Sequence, residues 1–148
     1  MNEVSQTREY LEFARRVRLE QVLTESCSAR RLAAEASTDA EMRLEIGVAP
    51  TPEAIFYRLE VQAILKSENG KEVGRVEVSV VTRYDITEGD LPTENIIQEF
   101  ADREAATVAY PYAREGVQSL AARIGFAGVL LPLLGPTSTL DDIPHDSN

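Results

Sequence analysis

The sequence predicts an α+β fold: a four-stranded antiparallel sheet with one face covered by a long kinked helix and a C-terminal apolar segment, preceded by an N-terminal helix. Three observations carry this prediction. Apolar and polar residues alternate in several segments, an Asn-Gly dipeptide separates two of these segments, and a helical pattern with an internal proline follows them. The 148 residues correspond to the length of one domain.

The first predicted element is an amphipathic helix over residues 3–17. Its apolar and aromatic residues are spaced for one helical face: Tyr10, Leu11, Phe13, Ala14 and Val17. We expect residues 1–18 to form a helical extension of the main domain.

Two strands are predicted next. The first is centred on residues 22–28, where the sequence shifts toward alternation, and residues 30–41 read as a connection. In the second strand, four apolar residues alternate with polar ones, the period-two pattern of a strand with one buried face: Met42, Leu44, Ile46 and Val48. Pro50 and Pro52 end this strand, because proline lacks a backbone donor.

Asn69-Gly70 predicts a β-hairpin, because this dipeptide favours a two-residue type I′ turn. If Glu68 pairs with Lys71, antiparallel counting sets the register of both strands. The pairs on one face are Leu65 with Gly74, Ala63 with Val76, Val61 with Val78, Leu59 with Val80, Tyr57 with Thr82 and Ile55 with Tyr84. Nearly all are apolar and the opposite face is polar, so a one-residue slip is disfavoured.

Helices must cover the apolar face of this sheet. Thr93 is a candidate N-cap for a short helix that ends near Phe100. A longer helix is expected over residues 102–124, with a kink or a restart at Pro111. Its core stripe consists of Ala113, Val117, Leu120 and Ile124, and Gly125 is a candidate C-terminal cap.

The chain then continues through the apolar segment 126–134 into an acidic tail. We therefore expect three parts: the helical extension 1–18, the main domain 19–134, and a mobile tail over residues 135–148.

The formal charge of −10 disfavours binding to nucleic acid, because phosphate binding needs clustered Lys and Arg. There is no secretory signal pattern and no apolar run long enough to cross a membrane, so we expect a cytoplasmic protein without membrane insertion. One cysteine, Cys27, and one histidine, His145, do not form a set of metal ligands, and no cofactor is expected.

No catalytic motif is present. The sequence has no phosphate-binding glycine loop, no G-x-S-x-G and no H-E-x-x-H. His145 lies in the tail, where catalytic geometry is rarely held, and Glu60 and Glu77 read first as solvated surface charge. We therefore expect that the protein is not an enzyme.

The most specific stretch of the chain is Tyr110-Pro111-Tyr112-Ala113-Arg114-Glu115, followed by Gly125-Phe126 and Leu131-Pro132. This block resembles the C-terminal signature of the SecB family of export chaperones. The order of predicted elements is similar to that family over residues 19–134.

The resemblance implies a molecular chaperone that works without ATP. Members of the family are homotetramers, built as dimers of dimers, and hold unfolded preprotein clients in long apolar grooves so that they stay competent for export. They pass the clients to the secretion motor ATPase. In some relatives the client is instead the antitoxin of a toxin–antitoxin pair.

Carried over to this chain, the resemblance implies three sets of site residues. The client-binding set is Leu44, Ile46, Tyr112, Phe126, Leu130, Leu131, Leu133 and Leu134. The oligomer-interface set is Val76, Val78 and Val80. The set for docking of the motor or another partner is Glu60 and Glu77.

Three features depart from the family pattern and keep other functions open. The chain has no Trp, Arg75 lies beside Glu77, and the N-terminal helix is an addition. These departures favour one alternative, a dedicated chaperone of an antitoxin. Two further alternatives are an enzyme on a thioesterase-like fold and an oligomeric scaffold or ligand-binding protein without clients.

Overall fold

The computed structural model describes residues 3–129 and Leu131. Helix α1 (Glu3–Arg15) is followed by strands β1 (Val17–Arg31), β2 (Asp39–Pro50), β3 (Ala54–Lys66) and β4 (Glu72–Ile86). A helical run then comprises α2 (Glu94–Phe100), a π-helical segment (Ala101–Ala105) and α3 (Ala106–Arg123). The predicted α+β class is confirmed. Leu130, Leu133, Leu134, the tail 135–148 and His145 lie outside the described residues.

The four strands form one antiparallel sheet in the order β1-β4-β3-β2. The predicted hairpin register is confirmed along its whole length, from Leu65 opposite Gly74 to Ile55 opposite Tyr84. The apolar residues of β3 and β4 consequently share the face that carries the helices, and the charged residues share the other, outer face. The long edge strands β1 and β2 both extend beyond the segments that the sequence predicted.

The turn that joins β3 and β4 differs from the predicted type I′ turn. Ser67 pairs with Lys71, the backbone N–H of Gly70 donates to the carbonyl of Ser67 at 2.9 Å, and only Gly70 has a positive φ. This is the pattern of a three-residue loop with glycine in the left-handed region. Val73 is then an extra residue in β4, between Glu72 and Gly74. The longer loop and this bulge offset each other, which restores the predicted register.

The helical run is continuous through Pro111, so the predicted restart does not occur. Pro111 lacks the N–H that would bond the carbonyl of Thr107. The irregular part of the run lies earlier, in the π-helical segment, which the sequence analysis did not predict. The apolar face of α3 is made of small residues and two larger ones: Ala106, Ala109, Ala113, Ala121, Tyr110 and Val117.

The core has two parts. Beneath α3 lie apolar side chains of β3 and β4, closed at one end by Phe126 and Leu131. The second part is an aromatic cluster between α1, α2 and the sheet: Tyr10, Phe13, Tyr57, Tyr84 and Phe100. Because α1 contributes two of these rings, it packs into the domain that follows it.

Candidate functional site

An apolar strip is left open on the helix side of β2. Its side chains belong to Met42, Leu44, Ile46 and Val48, which we call the β2 strip. They pair with Ala63, Val61, Leu59 and Tyr57 of β3, and so point to the same face as the core. Met42 is buried, whereas the other three are only half-buried.

The strip is open because α3 lies over the centre of the sheet. The small residues of α3 allow a close approach to β4: a Cβ placed on Gly116 would lie 3.3 Å from both methyl groups of Val78. From this position α3 meets β2 through Tyr110, whose hydroxyl lies 3.6 Å from the sulfur of Met42. Burial raises the pKa of Tyr110 to about 12, so this phenol stays neutral even at pH 10, where an ordinary tyrosine is half ionised. Leu44, Ile46 and Val48 pack against the margins of the core and stay half-buried.

The structure brings together only part of the predicted client-binding set. Leu44 and Ile46 are neighbours on the β2 strip. Tyr112 lies on the flank of α3 that faces away from the β2 strip, where it is 54% exposed. Phe126 and Leu131 are buried at the end of the core. Leu130, Leu133 and Leu134 fall outside the described residues, and the client-binding role of the whole set stays a prediction.

Phe126 and Leu131 are held by two arginines. The guanidinium of Arg31 lies 4.4 Å from the centre of the Phe126 ring and donates to the carbonyls of Ile124 at 2.9 Å and Ala34 at 2.8 Å. Arg114 Nε donates to the carbonyl of Leu131 at 2.8 Å. Contacts with Arg31 at the end of β1 and with Arg114 of α3 therefore hold the segment after α3 in place.

The predicted interface residues Val76, Val78 and Val80 are buried inside the single chain. Together they lie beneath α3 and belong to the first part of the core. Their role in oligomerisation stays a prediction.

The outer face of the sheet carries an acidic concavity of about 500 Å³. Glu60 and Glu45 are directly opposite each other on β3 and β2, and neither carboxylate has an ion pair with a described residue. Glu77 accepts a hydrogen bond from Gln62 Nε2 at 2.6 Å. Ser79, only 7% exposed, also lines the concavity. Both predicted docking residues, Glu60 and Glu77, therefore share one negatively charged surface.

The described residues offer no other chemical centre. They contain no group of three His, Cys, Asp or Glu side chains that could hold a metal ion. Cys27 is exposed on β1, and no histidine lies in residues 3–129. Among the helices in the described ranges, none is long and apolar enough to cross a membrane.

Met42 and Val48 were not among the predicted site residues, although their alternation with polar residues placed them on the same face as Leu44 and Ile46. Arg31 was not predicted as the partner of Phe126. No local pattern signals that contact, because the two residues are far apart in the chain.

This fold is similar to that of a chaperone of known structure. A SecB-like chaperone of Mycobacterium tuberculosis, Rv1957, in complex with a ChAD peptide from the HigA1 antitoxin, superposes with a TM-score of 0.78 at 20% sequence identity. The match covers 86% of this chain and 97% of the other. This chain has the SecB-like fold. No protein-family model and no curated protein matches the sequence, so the SecB-like fold is established here by structure.

Proposed function

We propose that this protein is an ATP-independent molecular chaperone, a holdase, that binds unfolded polypeptide clients along the β2 strip. The observation that carries the proposal is an open apolar strip on a SecB-like fold. A holdase needs apolar surface that is accessible in the folded state, and the half-buried Leu44, Ile46 and Val48 leave part of their side chains accessible on the edge strand. The net charge of −10 keeps such a surface soluble.

Two client classes are proposed. Preproteins kept competent for export are the first, as the SecB resemblance implies. The second is an antitoxin, and a specific observation favours it: the superposed M. tuberculosis chaperone binds a peptide from an antitoxin. Both clients would be unfolded segments, and both would be held in the cytoplasm.

The acidic concavity suits a positively charged partner. Glu60 and Glu45 face each other without a cation between them, so a Lys or Arg from a partner would relieve their repulsion. Within the proposed function this partner is the secretion motor ATPase or another protein that receives the client.

A homotetramer is proposed for the assembled chaperone. The surface that supports this assembly lies on the flank of α3 away from the β2 strip, where Tyr112 precedes Gly116 by one turn. There the helix side of β1 is incompletely covered, and Leu19 is 41% exposed. Burial of this surface against a second copy would remove apolar area from water.

The test is a binding and aggregation assay without nucleotide. The protein is mixed with a reduced, carboxymethylated apolar-rich polypeptide, which cannot fold, and complexes are measured by size-exclusion chromatography with light scattering. A stable complex with this chain, and none with its native, disulfide-bonded form, is expected. Leu44→Glu should weaken the complex by about tenfold or more, because it removes apolar contact and places a charge in the strip.

Leu23→Glu is the matched control, since it makes the same change at a 37% exposed leucine on the outer face of β1, at the opposite edge of the sheet. It should leave the complex within about twofold of the wild-type affinity. Urea unfolding of both variants separates a binding defect from a folding defect. A protein that ignores the unfolded chain would overturn the proposal.

A further inference from the structure

A second concavity lies on the outer face of the sheet, where β1 ends and β4 begins. Its volume is about 550 Å³, and Arg30, Arg75 and Leu32 are among the residues that line it. We call it the arginine concavity. It meets the acidic concavity at Glu77, which lines both.

Arg30 and Arg75 face each other in this concavity. They are directly opposite in the antiparallel ladder of β1 and β4, so both side chains extend from the outer face. Like charges in this arrangement destabilise a sheet. Natural proteins break such local rules mainly at functional sites. The arginine pair therefore indicates a role that needs both positive charges.

The two guanidinium groups are held differently. Arg75 Nε and Nη2 lie 2.8 Å and 2.7 Å from Glu72 Oε1, which orients the group and leaves its Nη1 hydrogens as donors. Arg30 is exposed and forms no ion pair or hydrogen bond with any residue in 3–129 and 131. An anion between the two groups could therefore accept hydrogen bonds from both.

The carboxylates in the lining leave Arg30 without a counter-charge. Glu72 is engaged by Arg75, and Glu77 accepts the hydrogen bond of Gln62 from the β3 side. The adjoining acidic concavity would repel an acidic segment, whereas the arginines would attract it. Charge therefore restricts such a segment to this corner of the outer face.

Leu32 adds an apolar contact beside the arginines. It is 48% exposed and lines the same concavity two positions after Arg30. Side chains two positions apart in an extended chain share a face and lie about 7 Å apart. A partner segment matches this spacing if an acidic and an apolar residue are separated by one residue.

We propose that the arginine concavity binds an extended acidic segment of a partner protein, with the pattern Asp or Glu, any residue, then Leu, Ile or Val. The carboxylate lies between Arg30 and Arg75 and accepts hydrogen bonds from both guanidinium groups. The apolar side chain packs on Leu32. Because this surface is on the other face of the sheet from the β2 strip, the inference does not depend on the holdase function.

The probe is a short labelled peptide with Asp-Ser-Leu at its centre, and its binding to the whole chain is measured by fluorescence anisotropy. Asn in place of the peptide Asp should weaken binding by about fivefold or more, because the charge-assisted hydrogen bonds are lost. Arg30→Gln should cause a similar loss. The two changes together should cost little more than either alone, because both remove the same contact. Losses that simply multiply would overturn this contact.

Arg18→Gln is the matched control, since it removes the same charge from the opposite end of β1. It should change the affinity by less than about twofold. Equal losses for Arg18→Gln and Arg30→Gln would show attraction by overall charge alone and would overturn the proposal. So would failure of the Asp-Ser-Leu peptide to bind.

Urea unfolding separates binding from folding. Arg30→Gln should not lower the midpoint of unfolding, because it relieves the repulsion between two facing arginines. Leu32→Ser tests the apolar contact: it should weaken binding of the Asp-Ser-Leu peptide by about threefold or more, and have little effect on a peptide with Ser in place of Leu. Equal losses for both peptides would overturn the role of Leu32.

Discussion

Phe126 lies so close to Gly74 that a Cβ on residue 74 would be 2.7 Å from the Cε2 atom of its ring. This glycine is needed for space and not for a special backbone conformation, because its φ is not positive. The ring cannot easily withdraw, since Arg31 lies over it at 4.4 Å. Gly74 thus admits the ring that closes the core after α3.

Gly74→Ala should therefore destabilise the protein. The added methyl group forces the Phe126 ring or the backbone of β4 to shift, at a cost of about 1–3 kcal/mol in the free energy of unfolding. Urea unfolding measures this change. Gly47→Ala is the matched control, because nothing lies within 4 Å of a Cβ at that position, and its effect should stay within about 0.5 kcal/mol. Equal stability of the two variants would contradict the packing described.

Arg31→Ala should also destabilise the protein, by about 1–2 kcal/mol, because it removes two hydrogen bonds to backbone carbonyls and the contact with the Phe126 ring. The midpoint of thermal unfolding measures the loss. Arg30→Ala provides the control: its side chain points to the outer face opposite Arg75, so its removal should leave stability within about 0.5 kcal/mol. A larger loss for Arg30→Ala than for Arg31→Ala would refute the role assigned to Arg31.

The sheet could be predicted because the signals that define it, alternation and turn residues, lie within short segments of the sequence. Alternation fixed the face of each residue in β3 and β4, and Gly70 marked the turn. The turn type could not be predicted, since Asn-Gly also fits a type I turn followed by a left-handed glycine. The bulge at Val73 is stabilised by distant groups: its carbonyl accepts hydrogen bonds from the N–H groups of Leu32 at 2.9 Å and Ala33 at 3.3 Å.

The candidate site was predictable only in part, for a similar reason. Alternation placed Leu44 and Ile46 on the helix side of β2. Whether these side chains stay accessible depends on where α3 lies across the sheet. That position depends on the contact of Gly116 with Val78, and these two residues are far apart in the sequence. The helical spacing could place Tyr112 on the surface of α3. It could not show which edge of the sheet Tyr112 faces, because that also depends on where α3 lies across the sheet.

Alkaline pH should unfold the protein through its buried tyrosines. Burial raises the pKa of Tyr110 to about 12 and those of Tyr57 and Tyr84 further. Because these folded-state values lie above the ordinary value of 10.0, ionisation favours the unfolded chain. The stabilising contribution is complete below pH 10 and is lost progressively as the pH rises toward 12 and beyond.

The measurement is a pH titration that follows tyrosinate absorbance and circular dichroism together. The buried phenols should ionise as the protein unfolds, so the two signals should change together above about pH 10. Tyr57→Phe should remove one tyrosinate from this step. Ionisation of these three tyrosines near pH 10, with the circular dichroism unchanged, would refute the burial that the structure assigns to them.

The proposed oligomer should depend on the exposed surface beside β1. Leu19→Glu places a charge on the helix side of β1, where burial against another copy would leave it unpaired. Light scattering at fixed protein concentration should show a smaller species than the wild type.

Val4→Glu is the matched control, since Val4 is 75% exposed on α1 and has no part in that surface. Because Leu44 and Ile46 lie on the other edge strand, Leu19→Glu should retain binding of the carboxymethylated polypeptide. An unchanged mass would place the interface elsewhere. A smaller mass together with loss of polypeptide binding would show that client binding at the β2 strip depends on the assembly.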